Sequence, residues 1–335
     1  MQAVILAGGQ GTRLRPLTLT RPKPLVPIVN VPMIRHIVDR LPPEVDRVIL
    51  AVNYKLDLLR EYFEKNDCGK EVVLVEETEP LGTGGAVKNV ERHVDDTFFV
   101  FNGDILDSLS LTAFRRFHDR TGGLGSIALW KVSDPRHYGI VEMRGSRITR
   151  FVEKPATKDE APSNLANAGT YLLEPEVFDT MAPGKVTSIE REVFPALIEK
   201  GGGLFGYPFE GFWVDVGRPE TYLKAHELML KTRSAARVLG DGVKDHGAGF
   251  EGWNVVGDAC DLGQGSELSH SVLFDRVRLG HKAVAKHSIL GEGVTLEDDA
   301  AVVDSVLGDG VTVRKGVFLK GVKIDPNEII GDSNG

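Results

Sequence analysis

Short apolar runs separated by amphipathic stretches organise the first two-thirds of the chain. Val4-Ile5-Leu6, Arg47–Val52, Val72–Val75 and Phe98–Phe101 are such runs, and they suit strands buried on both faces of a parallel sheet. Between them, Ile34, Ile37, Val38 and Leu41 fall on one helical face. Leu56, Leu59 and Phe63 repeat the arrangement, and Ala86, Val87 and Val90 mark a third helix. This alternation predicts a doubly wound α/β layer. Shorter strands are predicted near 126–132, 147–152, 168–173 and 204–214, with helices near 175–181 and 189–199. A helical pattern opens at Pro219 and runs to Thr232. Apolar periodicity lapses from Arg233 to Gly249. The pattern therefore predicts one domain over 1–232, a linker over 233–249 and a second domain over 250–335.

The second domain reads as a repeat. Ser271-Val272-Leu273 returns as Ser288-Ile289-Leu290 and Ser305-Val306-Leu307, at a spacing of 17 residues. Small apolar residues recur at 256, 262, 268, 273, 279, 285, 290, 296, 302, 307, 313, 319 and 324, in steps of six, six and five. Three inward residues per turn describe a triangular parallel β-helix with Gly280, Gly291 and Gly308 at corners. A β-sandwich with chance spacing is the alternative, and it seldom holds so regular a period. Each coil buries its apolar row only against its neighbours.

Composition narrows the function classes. The 335 residues suffice for about two domains. A formal net charge of −8, from 40 basic and 48 acidic residues, argues against a nucleic-acid scaffold, whose binding rests on Lys and Arg. No apolar run approaches the ~20 residues that span a bilayer, so no membrane partner is expected. The first residues lack a basic region, and no secretory signal is expected. Cys68 and Cys260 lie far apart, which supports neither a disulfide framework nor a zinc site and fits a reducing cytoplasm.

Directly after the first strand stands Ala7-Gly8-Gly9-Gln10-Gly11-Thr12-Arg13-Leu14. Its glycines let backbone N–H groups approach an anion with no Cβ in the way. Thr12 adds a hydroxyl and Arg13 a two-pronged donor for phosphate oxygens. The spacing is neither G-x-G-x-x-G nor a Walker A loop, since Leu14 interrupts the one and no Gly-Lys-Ser/Thr closes the other. A tight strand–helix turn is the bland alternative. Arg13, Arg15, Arg21 and Lys23 are interleaved with Pro16, Pro22, Pro24 and Pro27, which predicts an extended, stiff, cationic segment suited to a triphosphate. Lys23, set between two prolines, is the strongest single candidate.

Two aspartates stand out. Asp104 follows the Phe98–Phe101 strand, and ligands of open α/β sheets gather at the carboxyl ends of strands. Asp215 lies among Phe209, Phe212, Trp213 and Val214, where a buried charge needs a partner. Two Asp oxygens with substrate phosphates suit Mg²⁺. Turn chemistry for Asn-Gly-Asp and a structural ion pair for Asp215 remain alternatives.

The segment from Leu6 to Thr18, followed by Pro22-Lys23-Pro24-Leu25-Val26-Pro27, resembles the sugar-phosphate nucleotidyltransferases, also called nucleoside-diphosphate-sugar pyrophosphorylases. The likeness continues through Leu81-Gly82-Thr83-Gly84-Gly85-Ala86, Asn102-Gly103-Asp104, Val152-Glu153-Lys154-Pro155, Asn167-Ala168-Gly169 and Trp213–Gly217. It implies a Rossmann-like, doubly wound mixed sheet followed by a left-handed β-helix. It also implies an EC 2.7.7 activity, in which an NTP and a sugar 1-phosphate give an NDP-sugar and pyrophosphate. By this resemblance Leu6, Ala7, Gly8, Gly9, Gly11, Thr12, Arg13, Lys23, Glu77, Gly82, Thr83 and Asp104 bind the nucleotide. Gly139, Glu153, Lys154, Asn167, Gly169 and Asp215 hold the sugar phosphate. Asp104 and Asp215 hold Mg²⁺, and Arg13, Lys23 and Lys154 act on the reacting phosphates.

Individually, several of these residues have plain readings. Glu153 and Lys154 suit a surface pair before a turn, and Trp213 suits a core position better than a sugar platform. His281 and His287 lie in the coil, where some hexapeptide-repeat acyltransferases keep a catalytic His, but the uninterrupted period argues against an acyl-donor site. The resemblance makes Glu77–Gly85 the base-reading loop, with Glu77 aligned where thymidylyl-type relatives carry an amide; a carboxylate can accept from guanine N1–H and N2–H₂ together. This favours GTP, and the loop is similar to that of mannose 1-phosphate guanylyltransferases, although Gly84 stands where many of them carry Ala. The expected product is GDP-mannose. A glucose 1-phosphate thymidylyl- or uridylyltransferase is the runner-up, and a non-catalytic NDP-sugar-sensing subunit comes third. Self-association through the β-helix is expected.

Overall fold

The computed structural model describes residues 1–331; residues 332–335, the last four of the expected β-helix range, lie outside the described residues. The chain forms two compact units. One comprises Met1–Gly9 and Ile34–Trp213, the other Gln10–Met33 and Val214–Gly335. Compactness thus divides the chain differently from apolar periodicity, which placed its boundary after 232.

The first unit is built on a nine-stranded mixed sheet. In chain order its strands are β1 (Gln2–Leu6), β2 (Arg47–Val52), β3 (Glu71–Glu76), β4 (Phe98–Asn102), β5 (Gly125–Lys131), β6 (Gly139–Arg144), β7 (Arg147–Glu153), β8 (Leu165–Leu173) and β9 (Leu204–Pro208). Their spatial order is β3-β2-β1-β4-β8-β5-β9-β7-β6. β1 runs parallel to both β2 and β4, so consecutive Val4 and Ile5 point to opposite faces and both are fully buried. β8 runs antiparallel to β4 and β5. The core joins Val4, Ile49, Phe98, Val100, Ile127 and Tyr171 to Val87, Phe178 and Phe194 from the covering segments.

The helices include α1 (Leu56–Lys65), α2 (Gly82–Asn89), α3 (Leu111–Thr121) and α4 (Phe194–Glu199). α3 starts where the Ser110 side chain accepts the Ala113 N–H and stops at Gly122, whose φ of 62° a side chain would disfavour. The predicted 189–199 helix begins instead as a π-turn over Ile189–Val193, and regular helix starts only at Phe194, just ahead of Pro195. The 204–214 run is two strands, β9 and Trp213–Asp215, parted by a turn with Gly211 at φ 114°.

The second unit holds the repeat. Parallel pairing at the predicted 17-residue offset brings Leu273 to Leu290 to Leu307 to Ile324, and Leu262 to Leu279 to Leu296 to Val313. Every predicted inward position from 256 to 313 is buried in one core, and Leu319 and Ile324 pack against it. One corner carries an internal ladder: Ser288 N–H donates to Ser271 Oγ, Ser305 N–H to Ser288 Oγ, and Val322 N–H to Ser305 Oγ. The segment expected as a linker contributes a coil. Arg237–Leu239 pairs with Asn254–Val256, and Lys244–Asp245 pairs with Asp261–Leu262. Its residues are mostly exposed, as befits the end of a stack, and so its apolar rhythm is lost.

Gln10–Met33 corrects a second expectation. The proline-rich stretch is not extended but a chain of single turns, Thr12–Leu14, Leu17–Thr20 and Lys23–Leu25, followed by a hairpin of Pro27–Ile28 with Val31–Pro32. Proline's fixed φ suits a first helical turn as well as an extended strand, and Pro24 occupies that early position. The hairpin is held by the helix α5 (Pro219–Thr232): His226 Nδ1 accepts the Val29 N–H, and the Tyr222 hydroxyl donates to the Pro27 carbonyl.

Candidate active site

In the first unit Leu6–Gly9 and Asp104 lie where strand order reverses. The chain lays β2 and β3 on one side of β1 and β4 on the other, which makes the carboxyl end of β1 a switch point. Leu6 ends β1 with its carbonyl accepting the Gly103 N–H at 3.0 Å, and the Ala7 N–H reaches the Ala51 carbonyl at 2.9 Å. These bonds aim Gly8 and Gly9 outward. A Cβ on Gly9 would meet nothing within 4 Å, whereas one on Gly8 would lie 3.4 Å from Asn53 Cβ and 3.5 Å from Glu77 Oε1. Half-buried Asp104 lies just past β4, separated from it by Gly103.

Glu77 is buried, and desolvation pushes its carboxyl above the ordinary range, offset in part by a hydrogen bond from the Leu81 N–H to Oε2. Oε1 is the oxygen nearest Gly8. Gly82, with φ 71°, and Thr83 open α2 against the 185–189 segment: Gly84 and Gly85 N–H both reach the Thr187 carbonyl, and the Thr83 hydroxyl donates to Glu190 and accepts from the Ile189 N–H. A Cβ on Gly85 would lie 2.7 Å from the Lys185 carbonyl, so the paired glycines serve this close approach.

Of the expected sugar-phosphate residues, Gly139, Glu153, Lys154, Asn167 and Gly169 lie in this unit and Asp215 does not. β8 contains a bulge between Asn167 and Tyr171, so Asn167 and Gly169 lie inside the strand rather than at its start. Asn167 Oδ1 accepts the Gly169 N–H, and its Nδ2 donates to the Tyr171 hydroxyl. Gly169, at φ 75°, faces Asn102, whose Nδ2 would lie 2.8 Å from a Cβ there. Asn102 Oδ1 is buried with no hydrogen-bond partner among the described residues. Gly139 leaves no room for a Cβ, which would come within 2.7 Å of Glu153 Oε2. Burial raises the Glu153 carboxyl; Lys154 lowers it and Glu190 raises it in smaller measure. Lys154, exposed at φ 51°, lies 3.4 Å from Glu153. Trp213 is half-buried, edge-on to Tyr138, and its Nε1 donates to the Ala168 carbonyl beside Gly169. Asn102, Tyr171 and Glu190 join this cluster without having been singled out from sequence. Asn102 lay within a quoted motif, but Glu190 sits in a helical pattern where a Glu carries no signal.

The second unit supplies the remaining candidates. Gly11, at φ 64°, packs against Thr18 and Lys23: a Cβ there would lie 2.8 Å from Thr18 Cγ2 and 3.2 Å from Lys23 Cβ. The Thr18 hydroxyl donates to the Gly11 carbonyl at 2.9 Å. Thr12 and Arg13 are exposed on the first turn, and Lys23 is buried. Arg13 and Asp215 both crowd Gly217, where a Cβ would lie 2.9 Å from Arg13 Nη2 and 2.9 Å from Asp215 Oδ1. Gly217 therefore gives way to a guanidinium and a carboxylate set close together. Among the described residues no group of three or more His, Cys, Asp or Glu side chains could hold a metal. Aspartate oxygens nonetheless suit an ion whose remaining ligands come from phosphates and water.

Comparison with known proteins places this geometry. The nucleotidyl transferase family model matches residues 2–232, and the GMPPB C-terminal domain model matches 245–334. The mannose-1-phosphate guanylyltransferase of Mycobacterium tuberculosis is 36% identical over 293 residues, covering 83% of this chain and 81% of that one. The mannose-1-phosphate guanyltransferase of Kluyveromyces lactis is 40% identical over 267 residues, covering 77% and 70%. The crystal structure of HddC from Yersinia pseudotuberculosis complexed with GMP-PN is similar at a TM-score of 0.56 and 30% identity, covering 68% of this chain and 99% of that one. Enzymes of this kind generally use a divalent metal, and NTP and sugar phosphate fit as substrates. No described helix is long and apolar enough to cross a membrane. A glycine loop at the sheet's switch point, the coil period and these likenesses agree: the chain belongs to the nucleotidyl transferase family.

Proposed function

We propose that the protein condenses GTP with mannose 1-phosphate to give GDP-mannose and pyrophosphate. The observation that carries this reading is the Gly8–Gly9 turn at the carboxyl end of β1, bare of side chains and backed by Glu77. The relatives named as mannose 1-phosphate guanylyltransferases support the choice of base and sugar. The GMP-PN complex of HddC supports the base.

In this reading the backbone N–H groups of Gly8, Gly9 and Gly11, with Leu6, Ala7, Thr12, Gly82 and Thr83 shaping the loops, receive the nucleotide, and Glu77 reads guanine. Arg13 and Lys23 neutralise the triphosphate, and Lys154 holds the sugar phosphate as a point charge. Asn167, Glu153 and the orphaned Asn102 oxygen take sugar hydroxyls, with Gly139 and Gly169 letting Glu153 and Asn102 pack close against the backbone. One oxygen of the sugar phosphate attacks the α-phosphorus. The bond from that phosphorus to its bridge toward the β-phosphate breaks, and its electron pair leaves on pyrophosphate. The nucleophile is already an anion, so no side chain need remove a proton. The protein's work is alignment and charge neutralisation. Asp104 and Asp215 would hold Mg²⁺, whose contribution is to offset the negative charge of the phosphates.

We place the protein in the cytoplasm, whose reducing conditions suit its two free cysteines. Exposed Phe318 and Ile329 near the end of the coil support self-association there. The test is a panel of GTP, dTTP and UTP with mannose 1-phosphate and glucose 1-phosphate, scored by pyrophosphate release. The GTP–mannose pair should lead, and chelation should abolish it. A lead for dTTP or UTP with glucose 1-phosphate would overturn the substrates. Tight NDP-sugar binding without pyrophosphate release would overturn catalysis.

A further inference from the structure

The corner of the coil at 258, 275, 292 and 309 reads Asp, Asp, Glu, Asp. Where Asp stands, its Oδ1 caps the neighbouring coil: Asp258 accepts the Asp241 N–H, Asp275 the Asp258 N–H and Asp309 the Glu292 N–H. Glu292 departs from the rule. Its carboxylate reaches Arg21 Nη2 at 2.9 Å and also pairs with Arg276. Asp309 keeps its capping oxygen and turns the other, Oδ2, to Arg21 at 2.6 Å and to the Thr20 hydroxyl at 2.7 Å. The Arg21 guanidinium also lies 5.1 Å over the Phe274 ring. Arg21 and Asp309 side chains are each only 18% exposed, so the pair is shielded from much of the screening that weakens surface bridges.

Arg21 stands between two residues that shape the cationic loop. Thr18, three residues earlier, holds the Gly11 carbonyl, and Lys23 follows two residues later. The segment has only single turns of its own, and single turns are not stable alone. Its order must come from what it is fastened to.

We propose that Glu292 and Asp309 are positioning residues for the nucleotide: through Arg21 they hold the turn that carries Lys23, so the coil takes part in NTP binding. This rests on the function proposed above. The perturbation is made on the coil. Asp309→Asn keeps the capping oxygen and removes the charge. It should raise KM for GTP roughly tenfold, leave KM for mannose 1-phosphate within about twofold, and hardly move Tm. Arg21→Met should do the same, and the double variant should be no worse than Arg21→Met alone. Amide hydrogen exchange over residues 10–26 should quicken in Asp309→Asn while the coil core stays protected. Unchanged GTP binding and exchange in Asp309→Asn would overturn the proposal, as would equal losses for both substrates with a fall in Tm. The exchange reading does not depend on turnover. Faster exchange in an inactive wild type would sink the function and leave the fastening intact.

Discussion

Gly217→Ala separates catalysis from folding. The new methyl would lie 2.9 Å from both Arg13 Nη2 and Asp215 Oδ1, while ordinary contact begins near 3.4 Å. Each group must therefore retreat by about half an ångström. Both are ends of side chains, and Gly217 is not among the residues with positive φ, so the backbone accepts Ala. Loss of glycine freedom in the unfolded chain favours the variant by ~0.4–1 kcal/mol, which should roughly offset the crowding. At ~2–4 °C per kcal/mol, Tm should stay within about 3 °C of the parent. Activity should not be spared, because a misplacement of ~1 Å costs about 100-fold, and half of that implies a loss of roughly tenfold in kcat/KM. Pyrophosphate release and scanning calorimetry on the same preparation give the two numbers. Full activity would refute the placement of Arg13 and Asp215 in the reaction. A Tm loss beyond about 6 °C would refute the claim that only side-chain ends yield.

The position of Glu153 predicts a pH-dependent gain. Burial holds its carboxyl above the ordinary 4.5. Below pH 4.5 both the folded and unfolded forms carry the proton, and the stability from this position is complete. As pH rises through the raised folded value, that stability is lost. Glu153→Gln does not titrate, so its Tm should match the parent at pH 4 and exceed it at pH 7.5, with sugar-phosphate turnover reduced; a Tm deficit at pH 7.5 would contradict this. In the coil, Ser288→Ala leaves the Ser305 N–H without its acceptor and should cost ~1–3 kcal/mol by denaturant unfolding. A neutral result would mean that the serine ladder does not hold the stack.

Repetition made the coil legible: an inward residue at every step of six, six and five leaves few other ways to bury the row. The end coil over 237–245 was not legible, because its exposed residues carry no pattern. The position of Gly8 and Gly9 just past the end of β1 could be read because they follow a buried strand directly. The shape of 12–25 could not, since proline serves a first turn and an extended strand alike. Glu190 and Tyr171 join the sugar cluster only through the bulge in β8 and the π-turn, and neither irregularity has a sequence signature. Gly217 matters for what surrounds it, which no spacing reveals.

In the reading proposed above, Asp104 and Asp215 would hold a divalent ion and the 8–23 loop would receive the triphosphate. Electron paramagnetic resonance of Mn²⁺ with a non-hydrolysable GTP analogue tests it most directly. A bound Mn²⁺ spectrum should appear only with both protein and nucleotide and should be lost in Asp104→Asn and Asp215→Asn. A spectrum indistinguishable from Mn²⁺–nucleotide in free solution, or one retained in both variants, would contradict it.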